Sequence, residues 1–194
     1  LIGLPSSGIH SNGYTLVRAI LQRSGNSLTE KAPFDPNHQN RIIERFEVGE
    51  VTLGEVLLNP TRIYVNPLID LIKACRGGKG PCNLSDLKAM AHITGGGLSN
   101  LLRLHEKLGW HIDAPLPILP EFQWLSKNGS VNSKEMHRTF NMGMGMTIAV
   151  SQDVAESVES WLNERLSGCK RIGFVHNKGR KVTHVNPEIV FEHY

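Results

Sequence analysis

Apolar residues recur along this chain in two periods, separated by polar stretches rich in glycine. Leu1 and Ile2 read as the end of a buried strand. Leu16, Val17, Ile20 and Leu21 follow at helical spacing and predict a helix over 14–24, which Gly25 ends. Residues 26–47 carry Pro33, Pro36 and many charges, and read as an exposed excursion with a short helical piece at 41–46. Val51, Leu53, Val56, Leu57 and Leu58 predict a short amphipathic helix, and 60–65 reads as a β-rich run. Asn66-Pro67 has the chemistry of a helix start, with Leu68, Ile69, Leu71 and Ile72 as its buried face. A flexible loop follows at 76–83, then a short helix capped by Ser85. Residues 91–94 form a strand that runs straight into Gly95-Gly96-Gly97, and Leu98, Leu101, Leu102 and Leu104 mark another helix.

Further on, 110–113 reads as a strand, and Pro115, Pro117 and Pro120 exclude regular structure until Glu121. A helix starts there with Phe122, Trp124 and Leu125, and Ser133 caps a short one over 134–138. Residues 147–150 are a continuous apolar strand, preceded by glycines alternating with methionines at 142–146. Residues 153–166 give the clearest helix, capped by Ser151 and ended by Gly168. The segments 171–176 and 182–185 pair as a hairpin across 177–180. Strands and helices thus alternate, which makes the fold class α/β: a mixed sheet with helices on both faces.

The chemistry concentrates in 3–13, Gly-Leu-Pro-Ser-Ser-Gly-Ile-His-Ser-Asn-Gly, between a strand and a helix. Such a loop offers free backbone N–H groups, short hydroxyls and the positive end of a helix dipole, the ingredients of an anion site. A polar connection capped by Ser or Asn is the competing reading. The 91–101 stretch repeats the strand–glycine–helix design, so both helix N-termini can face one cleft.

Composition limits the function. The chain has 194 residues, 40% hydrophobic and 20% charged, with a net charge of +3, which suits a globular domain with a substantial core. Basic residues cluster only at 170–171 and 178–181, too sparsely for nucleic acid. Cys75, Cys82 and Cys169 match no metal or redox spacing and fit a reduced, cytoplasmic protein. No apolar run is long enough for a membrane helix and no signal peptide is visible. A chain opening at Leu1 in a strand, without an initiator Met, reads as a piece of a longer or processed protein. There is no Walker A or dinucleotide glycine motif, and no metal-ligand set.

No pair of carboxylates stands out for acid–base work, and the carboxylates read mostly as solvated. His10, inside the opening loop, and His92, just before Ile-Thr-Gly-Gly-Gly, can each bind phosphate, polarise a carbonyl or move a proton, or fix a loop by a structural hydrogen bond. His38, His105, His111, His137, His176, His184 and His193 read as surface residues. Asn12, Asn100 and Asn141 either cap helices or bind a ligand, and Arg103 either faces an anion or pairs at the surface.

Four ordered stretches carry a resemblance: 3–14, 58–65 (Leu-Asn-Pro-Thr-Arg-Ile-Tyr-Val), 91–97 (Ala-His-Ile-Thr-Gly-Gly-Gly) and 136–146 (Met-His-Arg-Thr-Phe-Asn-Met-Gly-Met-Gly-Met). Together they resemble the aminoimidazole ribonucleotide synthetases, the phosphoribosylformylglycinamidine cyclo-ligases. Asn100-Leu-Leu-Arg103 departs from the Asn-x-Pro-Arg form common in that family, which leaves the role of Arg103 open. The resemblance implies a single C-terminal domain over 1–194, a three-layer α/β/α sandwich with a mixed β-sheet, lacking the N-terminal domain that binds most of the ATP and Mg²⁺. It implies ring closure of formylglycinamidine ribonucleotide to aminoimidazole ribonucleotide, ADP and phosphate, by a homodimer whose two domains meet at the substrate cleft. By the family pattern Ser7, Gly8, His10, Ser11, Asn12, Gly95, Gly96, Gly97 and Asn141 face the ribonucleotide and its phosphate. His92 is then the candidate for assisting the chemistry, with His10 beside it. Other ATP-using members of the superfamily, including formylglycinamidine ribonucleotide synthetase and selenophosphate synthetase, are the alternative, as is a non-catalytic domain that binds a phosphorylated ligand.

Overall fold

The apolar faces read from the sequence meet in two four-stranded sheets. The computed structural model describes residues 1–38, 41–46 and 48–194. The first sheet has the order β2 (Leu87–His92), β4 (Met144–Val150), β1 (Ile2–Pro5), β5 (Lys170–Arg171), all antiparallel. The second has the order β6 (Gly173–His176), β3 (Gly109–Ile112), β7 (Val182–His184), β8 (Val190–Phe191). Here β3 takes β6 antiparallel and β7 parallel, so the mixed character lies in this sheet. The α/β class holds, with the strands divided between two sheets. The expected hairpin of 171–176 with 182–185 does not form, because β3 inserts between its two arms.

Three clusters of buried side chains hold the layers. Helices α3 (Val65–Arg76) and α6 (Ala155–Asn163) bury Leu68, Leu71, Val158 and Leu162 against Ile2, Leu4 and Ile148 of the first sheet. Ala91, Ile93 and Met144 pack with Trp110, Ile112, Val182 and Phe191 of the second sheet. Beside both, α1 (Tyr14–Ser24), α2 (Leu53–Leu57), α4 (Pro120–Gly129) and α5 (Ser133–Thr139) gather Val17, Ile20, Leu57, Phe122, Leu125 and Phe140. Gly25 ends α1 with φ 72°, a left-handed conformation in which its N–H closes on the Leu21 carbonyl.

Several local readings change. Residues 60–64 are an irregular strap, and α3 begins at Val65, one residue before Asn66. The cap of α5 is Asn132, which accepts from the Glu135 N–H, so Ser133 is already helical. Ser85 lies inside a 3₁₀ turn, Leu84–Asp86, that Asn83 caps. Ser151 makes no capping bond and donates its hydroxyl to Asp86. The 3₁₀ helix Gly97–Arg103 takes the place of the α-helix expected after the triple glycine.

The excursion 26–47 is not simply exposed. Its helical piece is absent among the described residues 41–46, and residues 39, 40 and 47 lie outside the described residues. Phe34 meets Trp124 at 6.1 Å between ring centroids. Arg41 tucks its side chain, 2% exposed, against the fully buried Glu121 of α4, and also donates to the Pro36 carbonyl. Glu55 is buried as well, accepting from the N–H groups of Thr52 and Phe46. These two carboxylates are the exceptions to the reading that such groups sit mostly on solvated faces.

The topology places the loops. β1 and β2 both run antiparallel to β4, so they run parallel to each other and leave the sheet at the same edge. The loop after Pro5 and the loop after His92 therefore emerge side by side, flanking the segment that leads into β4.

The Arg41–Glu121 pair generates a stability test. Arg41→Met leaves a buried carboxylate without its cation and is expected to cost about 3 kcal/mol in urea unfolding, whereas Arg41→Met with Glu121→Leu recovers most of the loss. An Arg41→Met protein as stable as the parent would show that the pair carries no weight.

Candidate substrate cleft at the sheet edge

The opening loop is buried, so its polar groups need partners inside the protein. Ser6, Ser7, Ile9 and His10 are all buried. The register of β1 slips between Leu4 and Pro5, which turns the chain off the sheet. Ser6 then donates its hydroxyl to Asn141 Oδ1 at 2.8 Å. Asn141 Nδ2 donates to the carbonyls of Gly8 and Ile9, and its Oδ1 also accepts from the Gly143 N–H. The Asn141 amide is thus spent on holding the loop.

The strap 59–64 laces the same loop from the other side. Asn59 donates to the Ser7 carbonyl at 2.7 Å, and the Ser7 hydroxyl donates to the Pro60 carbonyl at 2.6 Å. Thr61 lies 3.3 Å from the Ser11 hydroxyl, and the Tyr64 hydroxyl donates to the Pro5 carbonyl at 2.9 Å. Sequence reasoning quoted this run but read it as a strand, and so missed Asn59, Tyr64 and Arg62. The signal was present in its Asn, Thr and Tyr side chains, which a buried polar loop needs.

His10 sits at φ 63°, a left-handed conformation uncommon for a residue with a Cβ. Its Nε2 accepts from the Ser7 N–H at 3.1 Å. The proton is thereby assigned to Nδ1, which is buried without a partner among the described residues. Burial, then the charges of His92 and Arg62, push its pKa down to about 4. His10 is neutral at physiological pH and offers a hydrogen bond, not a charge. Its ring lies 6.4 Å from that of His92 and 6.2 Å from that of Tyr64, and Tyr64 and His92 are 5.8 Å apart. His92 is exposed at the end of β2. Gly145 of β4 makes room for this trio, since a Cβ there would fall on the Tyr64 hydroxyl and crowd His10 Cε1 at 2.8 Å. Gly145 thus answers close approach by side chains, whereas a Cβ on Gly143 would strike the Pro117 carbonyl.

The glycine turn is built the same way. Asn100 is buried and donates to the carbonyls of Thr94, Gly95 and Gly97, and its Oδ1 accepts from Thr94. It fixes the turn and has no amide hydrogen left for a ligand. Gly97, at φ 52°, packs where a Cβ would strike the His137 carbonyl. Gly95 faces the opening loop: a Cβ on it would lie 3.2 Å from Asn12 Oδ1. Gly96 lies under the Tyr194 ring, and Arg103 stacks on that ring at 3.6 Å. Arg103 makes no ion pair among the described residues, so the surface pairing read from the sequence is replaced by this ring contact. Gly13, at φ 82°, occupies the cap position of α1, and no Ser or Asn side chain caps this helix.

The structure thus brings Ser7, His10, Asn12, His92 and Gly95 to one sheet edge, with Ser11 exposed at the rim. His137 and His184, expected at the surface, instead face each other at 5.1 Å beside an apolar cavity, with His137 buried. Among the described residues no helix is long and apolar enough to cross a membrane.

The family described as AIR synthase related protein, C-terminal domain, matches residues 1–186. The chain is 39% identical over 183 residues to a phosphoribosylformylglycinamidine cyclo-ligase of Methanosarcina acetivorans, a match covering 94% of this chain and 46% of that protein. The chain thus spans about half the length of the curated relative it matches. A crystal structure of the hydrogenase maturation protein HypE superposes with a TM-score of 0.46 at 16% identity, covering 98% of this chain and 51% of that one.

His10 gives the pH prediction. A histidine pKa of about 4 in the folded protein, against 6.5 unfolded, means the unfolded state binds the proton more tightly. Its stabilisation is complete above pH 6.5 and fades as the pH falls toward 4, by on the order of 3 kcal/mol. Urea midpoints for His10→Asn, a residue that tolerates the left-handed backbone, should fall less steeply across this window. His184, also held near 4 by burial, supplies part of the remaining slope. Identical slopes for parent and variant would mean that His10 titrates freely.

Proposed function

The chain belongs to the AIR synthase-related family through its C-terminal domain, and on that premise we propose that it is the substrate-lining half of a phosphoribosylformylglycinamidine cyclo-ligase. The observation that carries this reading is the convergence of two strand–glycine loops at one sheet edge, with His10, Tyr64 and His92 between them. In the proposed reaction ATP phosphorylates the formamide oxygen of formylglycinamidine ribonucleotide. A substrate nitrogen then attacks that carbon, the C–O bond to phosphate breaks, and the nitrogen sheds a proton as the imidazole ring closes.

The residues of this chain would bind, orient and move protons. Backbone N–H groups of Gly95 and Gly96, with Ser11 and Asn12, receive the ribonucleotide phosphate, while the Gly97 N–H closes the turn on the Thr94 carbonyl. Neutral His10, its Nε2 held by the Ser7 N–H, shapes the wall of the cleft. Exposed His92 takes the proton released by the attacking nitrogen. Among the described residues no three His, Cys, Asp or Glu side chains converge, so this reading assigns Mg²⁺ and ATP to an N-terminal half and routes no step through them here. That half and a second copy of the enzyme are the proposed partners, and the cytoplasm the proposed compartment.

Three measurements test this. The chain alone should not turn over. In the enzyme that includes the ATP-binding half, His92→Gln should lower kcat by about 10²-fold or more with KM little changed, and Asn12→Ala should raise KM by about tenfold. Calorimetry of the chain should show the ribonucleotide binding more tightly than its phosphate-free nucleoside. Equal binding of the two, or wild-type kinetics in both variants, would sink the assignment.

A further inference from the structure

A second cleft is lined by Pro5 and Ser6 but by none of His10, Tyr64 and His92. It encloses about 360 Å³ including its open mouth. One wall is apolar, from Leu116, Pro117 and Leu119, and the other carries His38, Arg41 and Arg62. These basic groups come from two separate segments, the excursion and the strap, yet they converge on one volume.

The polar groups here are short of partners. Buried side-chain polar atoms are nearly always hydrogen-bonded, so orphans call for an explanation. Arg41, 2% exposed, commits one terminal nitrogen to Glu121 and the other to the Pro36 carbonyl, and its Nε has no partner. His38 Nε2 is likewise buried without a partner. Arg62 makes no hydrogen bond or ion pair among the described residues. Glu121 offsets one of the two guanidinium charges and does not line the cleft. The cleft therefore keeps an uncompensated positive charge and N–H donors from several directions, beside an apolar wall that weakens screening.

We propose that this cleft binds an oxyanion of the phosphate class, gripped by Arg62 and by the unpartnered Nε–H of Arg41 and imidazole of His38. Several donors converging on one point suit a tetrahedral oxyanion better than a planar, singly charged carboxylate, and guanidinium groups match phosphate oxygens in geometry. This site stands apart from the cyclo-ligase reading, which places its anion at the 95–97 turn. The two are not electrically independent, because Arg62 is one of the charges that depress His10.

The test is a titration of the 194-residue chain with inorganic phosphate, read by NMR at the imidazole of His38 for the cleft and of His92 for the glycine turn. The His38 resonance should move saturably with phosphate and sulfate but not with acetate at equal ionic strength. Arg62→Gln should weaken that response by about tenfold, and Arg62→Lys by less. Since Arg62 holds nothing within the described residues, both variants should melt with the parent. Ribose 5-phosphate separates the sources: tighter binding than inorganic phosphate supports a phosphate ester as occupant, and weaker binding supports the free ion. A His38 resonance unmoved by phosphate, or moved equally in Arg62→Gln, would overturn the proposal. Movement confined to His92 would also overturn it while leaving the cyclo-ligase reading intact, and a response at His38 alone would do the reverse.

Discussion

A buried polar loop must find every hydrogen bond it needs within the protein, and that constraint organises this molecule. Residues 6–10 leave β1 and pass inside without the ladder of a strand or the turns of a helix. An unpaired buried amide or carbonyl costs roughly as much as a good hydrogen bond contributes. The protein answers with side chains that mimic backbone. Asn141 reads two carbonyls and one N–H on one flank, while Asn59, Tyr64 and the Pro60 carbonyl complete the other. The glycine turn is solved likewise by Asn100. Loops held this way are stiff, which is what a site needs if its groups are to be in place before a ligand arrives.

Sheet topology turns two stiff loops into one cleft. Had β1 and β2 been neighbours in a hairpin, their glycine loops would lie at opposite ends. Because β4 separates them and runs against both, the loops share an edge, and the Gly143–Gly145 entry into β4 forms the floor between them. The left-handed backbone at His10 and the register slip at Pro5 are local costs that the surrounding bonds hold in place. Leu4 and Ile148, fully buried beneath them, anchor the strands from which the loops spring.

Much of this was legible in order and little of it in space. Period and punctuation were sufficient for α1 with its Gly25 stop, for α4 after the prolines and for β4. They also marked both glycine loops, which the topology brings to one end of the sheet. The strap failed because Ile63, Tyr64 and Val65 have strand composition, and composition cannot tell a ladder from a segment that bonds through its side chains. The C-terminal strands failed because proximity in sequence favours a hairpin, whereas β3, some sixty residues earlier, competes for both partners through Trp110 and Ile112 in the core. Arg41 and Glu121 lie eighty positions apart, and no local pattern announces a buried ion pair of that separation. For the candidate site, residue types singled out two loops that the topology brings together, but not the hydrogen bonding within them. Asn141 and Asn100 proved to be braces, and Arg62 makes no ion pair among the described residues.

Charge at the sheet edge follows from electrostatics at short range. A histidine inside the loop stays neutral at physiological pH, because its burial and the neighbouring His92 and Arg62 all oppose protonation. Any anion held at the sheet edge must therefore draw on backbone N–H groups, whose dipoles are fixed before binding and are not lost when the pH changes. His92, a ring away, is exposed to solvent at the end of its strand. One sheet edge thus carries two histidines in opposite surroundings, one buried and neutral at physiological pH and one exposed to solvent. The difference lies in whether the chain at that point ends a strand, as at His92, or has already turned back into the protein, as at His10.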